Sequence, residues 1–155
     1  MNYALQIMLL TFFLMITYFN ASAQFVAIME IKEPIPGLCN DKKVYALLPS
    51  FKGQKEAECS LSDEEINERL NNEVKFLKNN PKYDDKGMIG LVINCKGEVV
   101  QCKMDNKTKM PELDKQIEDV FNTLGVWTAG KLNKKAVDTS RLFSFVIKDG
   151  VIIIN

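Results

Sequence analysis

The chain has 155 residues, 46% of them hydrophobic and 26% charged, and its twenty basic and twenty acidic side chains cancel. That is ordinary globular composition, enough for one domain with a short extension. It offers no basic footprint for nucleic acid. With no histidine in the chain, no Ser-His or Cys-His catalytic pair can be built and no ready proton shuttle exists near neutral pH.

Residues 1–23 hold no charged side chain. Ala4 to Phe19 is an apolar run, and Ala21-Ser22-Ala23 makes a small-x-small cleavage site before Gln24. This is the pattern of a secretory signal peptide, although its start lacks Lys or Arg. The rival reading is an uncleaved anchor. Against it, the run is short of the roughly 20 residues a spanning helix needs, and Asn20, Ser22 and Gln24 follow directly. The expectation is an exported protein, periplasmic or secreted, cut near Ala23–Gln24. In an oxidising compartment the four cysteines, Cys39, Cys59, Cys95 and Cys102, read as two disulfides. A zinc site is disfavoured, since there is no C-x-x-C knuckle and no His.

Residues 24–61 are the least periodic part. Pro34, Pro36, Gly37, Pro49 and Gly53 punctuate them, and only Val44 to Leu48 resembles a strand. An irregular arm tied down by Cys39 and Cys59 is expected. A helix begins next: Ser62 and Glu65 form a capping box, with Asp63 and Glu64 at the positive end of the dipole. Ile66, Leu70, Val74 and Leu77 make one stripe, and Asn79-Asn80-Pro81 ends it.

Met88 to Met104 reads as a hairpin. Ile89, Leu91 and Ile93 alternate along the first strand, and Val99, Val100 and Gln101 return. Asn94-Cys95-Lys96-Gly97 is the turn, where Gly97 can take a positive φ. A tight turn sets Cys95 opposite Glu98 and Leu91 opposite Cys102. Cys102 then lies roughly 13 Å along the ladder from Glu98, whereas a disulfide needs Cα atoms within about 7 Å. Cys95 and Cys102 should therefore not bond to each other. Either both reach Cys39 and Cys59, or they stay free while those two pair locally. The first helix should begin near the hairpin turn, which favours Cys59–Cys95 with Cys39–Cys102 over the swapped pairing.

Pro111 opens a second helix, with Leu113, Ile117, Val120, Phe121 and Leu124 on one face and Gly125 at its end. Trp127 directly after it reads as a core plug, the alternative being an exposed aromatic for a partner. Arg141 to Lys148 is a third strand, Asp149-Gly150 a turn, and Val151 to Ile154 a short terminal strand. The order predicts an α+β fold: a small antiparallel sheet, hairpin 88–104 plus strand 141–148, with two helices on one face. Residues 1–23 would be the leader, 24–61 the arm and 62–155 the domain. Asp84-Asp85, Glu118-Asp119 and Asp63-Glu64-Glu65 read as a loop end, a solvated helix face and an N-terminal turn. No phosphate-binding glycine motif is present. Asn106-Lys107-Thr108 matches a glycosylation sequon. Neither a catalytic residue nor a cofactor, metal or small-molecule substrate is expected.

From Leu61 onward the ordered pieces are Asn80-Pro81, Gly87-Met88-Ile89-Gly90-Leu91-Val92-Ile93 and Lys96-Gly97-Glu98-Val99. They continue with Leu113-Asp114, Val126-Trp127, Asn133-Lys134-Lys135-Ala136-Val137 and Phe143-Ser144-Phe145. In that order they resemble the C-terminal domain of TonB, in its divergent Bacteroidetes-type form. Ala129 and Lys134 depart from the Pro and Gly usual in that pattern. The family's energy transducer also carries a retained N-terminal helix and a Pro-rich linker, and the span from Ala23 to Ser62 has only three prolines. The resemblance implies a non-catalytic protein-binding module. It would recruit an extended peptide, such as the TonB box of an outer-membrane transporter, as an added strand at a sheet edge. The candidate edge is the strand of Arg141, Phe143, Phe145 and Ile147, or the tail of Val151, Ile152, Ile153 and Ile154. Four consecutive β-branched residues at an open edge are an aggregation hazard unless covered, so a partner strand, a homodimer or a fold-back is expected there. The alternatives are an anchored transducer component for transmembrane transport and a small disulfide-stapled secreted inhibitor.

Overall fold

The computed structural model describes residues 25–154. The apolar leader and its expected cleavage site lie outside the described residues. The fold is α+β. In chain order the elements are β1 (Ala27–Met29), β2 (Val44–Ala46), β3 (Gln54–Lys55), β4 (Glu58–Cys59), α1 (Asp63–Glu73), α2 (Lys75–Asn79), β5 (Asp85–Ile93) and β6 (Val99–Asn106). They continue with α3 (Pro111–Phe121), β7 (Trp127–Thr128), β8 (Lys131–Leu132), β9 (Lys135–Ala136), β10 (Thr139–Lys148) and β11 (Val151–Ile154).

β5 is an interior strand of the main sheet, antiparallel to β6 on one side and to β10 on the other. Its alternation decides the layers. Ile89, Leu91 and Ile93 are fully buried, and together with Phe143, Phe145, Ile147 and Ile152 they meet the helices. The helices answer with Ile66, Leu70, Leu113, Ile117 and Phe121. Burying side chains of this size contributes about 1.5–3 kcal/mol each, so this interface is the main source of stability.

α1 starts where the capping box places it: Ser62 Oγ accepts from the Glu65 N–H, and Glu65 accepts in return from the Ser62 N–H. The single helix expected through Asn79 is broken, however. Val74 is extended (φ −76°, ψ 97°) and divides α1 from the short α2. Val74 is fully buried, so the stripe continues although the helix does not. The Phe76 N–H finds its acceptor outside the helix, in Gln116 Oε1 of α3.

The arm is more ordered than its sequence suggested. β1 and β2 join the main sheet, with β2 running parallel to the start of β10. Segments β3 and β4 form small antiparallel ladders with β8 and β7. Strands of two or three residues carry no period to read. They exist because longer elements elsewhere offer them a partner.

Candidate functional site

The edge expected to take a partner strand is occupied by the chain itself. β10 is interior, paired along β5 on one side and flanked on the other by β2 at its start and β11 at its end. Phe143, Phe145 and Ile147 face the core. Arg141 is turned the same way, ion-paired to Glu56, donating to the Ala57 carbonyl and lying 5.3 Å from the Phe143 ring centroid. No described strand pairs with β10 on its β2/β11 side between Ser140 and Phe145.

The β-branched tail folds back as β11, so fold-back is the form its cover takes. Asp149 and Gly150, both at positive φ (49° and 72°), make the two-residue turn. Val151 and Ile153 pair back onto Lys148 and Val146. On the far side α1 supplies the missing partner: the Asn71 amide accepts from the Ile152 N–H and donates to the Ile152 carbonyl, each at 2.9 Å. Asn67 Oδ1 accepts from the Ile154 N–H at 2.8 Å. Two asparagines one helical turn apart thus imitate a neighbouring strand. At the opposite edge Glu118 of α3 accepts the Met104 N–H of β6.

What stays open is a face. Leu142 (57% exposed), Val146, Val151 and Ile153 (50%) project from the side of the sheet away from the helices. The register sets Val146 beside Ile153 and Lys148 beside Val151, so Val146, Val151 and Ile153 form one patch, with Leu142 on the same face four residues back along β10. The solvated face of an antiparallel sheet is normally polar. Next to the patch, residues 29–35 of the arm cross the same face and leave a cleft of about 410 Å³, lined by Ile31, Ile35, Gly90 and Leu142 among others.

The disulfide joins Cys39 to Cys95, with Cα atoms 6.0 Å apart. The expected Cys59–Cys95 and Cys39–Cys102 pairing is therefore corrected, and Cys59 and Cys102 are free thiols. The hairpin register behind that expectation does hold in its centre, where Leu91 stands opposite Cys102. The sidedness did not follow from it. Cys102 turns toward α3, its thiol 3.8 Å from the Glu118 carbonyl. Cys59 pairs with Trp127, whose carbonyl lies against Gly97. That puts Cys59 near the turn, but its thiol donates to the Leu124 carbonyl at 3.5 Å.

A residue missed in the sequence holds Cys95 in place. Asp138 is 2% exposed, and its carboxylate accepts the N–H groups of Cys39 (3.1 Å), Asn40 (2.7 Å) and Cys95 (2.8 Å). Its own carbonyl accepts the Tyr45 N–H. One side chain thus joins the arm, the hairpin turn and the start of β10. The Cys39, Cys95 and Asp138 donor atoms lie within 4.8 Å of one another, but the sulfurs are bonded together and are not thiolate ligands. A cavity of about 540 Å³ adjoins this clamp, lined by Lys43, Tyr45, Lys135 and Val137 among others.

Trp127 is buried, with its ring edge-on to Phe143 at 6.2 Å. Gly97 has φ 85°, and a Cβ there would sit 2.3 Å from the Trp127 carbonyl oxygen, so only glycine fits. Burial, with help from Glu118 and Asp119, pushes the Cys102 thiol up to about 12. Tyr83 is raised to about 12 by burial and by its hydrogen bond to Asp85. No described helix is long and apolar enough to cross a membrane. Set against known families, curated proteins and solved structures, the chain matches none.

Proposed function

We propose that this is an exported, non-catalytic protein-binding module of the TonB C-terminal type, taking its partner on the open sheet face. The observation that carries the reading is the patch of Leu142, Val146, Val151 and Ile153. It stands on the face away from the helices, beside the stretch that residues 29–35 of the arm cross, and exposed apolar clusters rimmed by polar residues mark interaction sites. The order of helix, hairpin, helix and strand supports the family part of the reading, and the disulfide supports export. Peptide addition at β11 is disfavoured, because Asn67 and Asn71 already use the backbone groups a guest strand would need.

The test is a titration of the isotope-labelled chain with synthetic TonB-box peptides, read by amide chemical shifts. Shifts centred on residues 140–146 and 151–154, abolished by Leu142→Glu with Ile153→Glu, are expected. Shifts confined to other surfaces, or none at all, would overturn the reading.

A further inference from the structure

A second exposed apolar cluster lies at the other end of the chain, and we propose that it seats on an anionic lipid surface. Phe25 and Phe51 stack at 5.5 Å, and with Leu48 they are 39–56% exposed. Gln54, itself 8% exposed, fixes them. Its amide donates to the Phe25 carbonyl and accepts the Leu48 N–H, while the Phe51 N–H reaches the Leu48 carbonyl. These aromatics are displayed on a rigid frame.

Their surroundings are basic, although the chain as a whole is neutral. Lys52, Lys131, Lys134 and Lys135 are all exposed around the small ladder of β3, β8 and β9, in addition to Lys55, which is paired with Glu58. The Asn133 N–H donates to the Gly53 carbonyl, which brings the Lys134-Lys135 turn against the segment carrying Phe51 and Lys52. The neighbouring acids are already engaged, Glu56 with Arg141 and Glu58 with Lys55. Apolar insertion and lysine attraction are each weak alone, and together they hold a protein to an acidic bilayer. The position in the chain points the same way. Phe19, the end of the apolar run, is six residues before Phe25, a reach of about 20 Å at most. A bilayer holding that run lies within reach of this corner, and the corner has the same chemistry once the run is removed. This surface is separate from the open sheet face and does not rest on the reading given for it.

The test uses the chain from Gln24 onward, the form left by the expected cleavage, carrying Phe51→Trp, so that the apolar leader cannot bring the indole to the bilayer; the unsubstituted chain is the baseline for buried Trp127. It is mixed with vesicles of brominated phosphatidylcholine with and without phosphatidylglycerol. Bromine quenching of the introduced indole on the anionic vesicles, much weaker on the neutral ones, is expected. Adding Lys52→Gln, Lys134→Gln and Lys135→Gln should lower partitioning by roughly two orders of magnitude, about fivefold per lysine. Absence of quenching, or equal quenching on both vesicles, would overturn the proposal. So would binding to heparin without vesicle quenching, which would identify an acidic macromolecule as the ligand.

Discussion

Asp138 gathers three backbone donors from segments 43 to 99 residues away, and a buried donor left without an acceptor is costly. Asp138→Ala should therefore lower unfolding free energy by about 3 kcal/mol. Urea denaturation measures it, and an unchanged midpoint would show that water replaces the carboxylate. Trp127→Ala should cost about 3–5 kcal/mol through the cavity it leaves, again read by melting. The two residues were not equally legible. Trp127 follows an apolar stripe and so announces its burial. Asp138 looks like any loop acid, because its partners are main-chain groups that leave no trace in composition. Cys102 gives a third test. With its thiol pushed up to about 12, almost no thiolate exists at pH 8, so iodoacetamide should modify it only once urea opens the fold. Peptide mapping of the native chain should then give Cys39–Cys95 as a crosslinked pair, with Cys102 unmodified.

At the scale of elements, local signals were read well and distant ones were not. The Ser62 capping box, the β5–β6 turn and the stripe of α3 depend on residues within a few positions of one another. β1 and β2 depend on a place beside β10, and the break at Val74 depends on Gln116 waiting across the layer. The tail is an intermediate case. Its β-branched run demanded a cover, and the sequence could not say that Asn67 and Asn71 provide it. Removing both amides, Asn67→Ala with Asn71→Ala, should bare the outer edge of β11 and convert it into a strand-pairing surface. Sedimentation velocity should show concentration-dependent self-association absent from the parent chain. A variant that stays monomeric would mean that the edge is protected by its shortness alone.

For the molecule as a whole, acid and alkali should act near one place. Burial raises the Asp85 carboxyl, but the Tyr83 hydroxyl and the N–H groups of Lys109 and Lys86 outweigh it and hold the group below the usual carboxylate range. A depressed folded value means stability that is present above the unfolded value, near 4, and lost as pH falls through the folded one. Tyr83 has the opposite sense: it stays protonated when folded to about 12, so stability should fall between roughly 10 and that value. Urea midpoints across pH should show both limbs, and Asp85→Asn should flatten the acid one. The Cys39–Cys95 bond has a mechanical consequence as well. It spans 56 residues, among them β2, α1 and α2. If the chain is drawn out by its two ends, tension entering at Cys39 crosses directly to the hairpin turn, and everything between carries no load. About 200 Å of contour length is thus withheld from extension until the bond is reduced, and the stretched molecule is that much shorter and stiffer than its residue count implies.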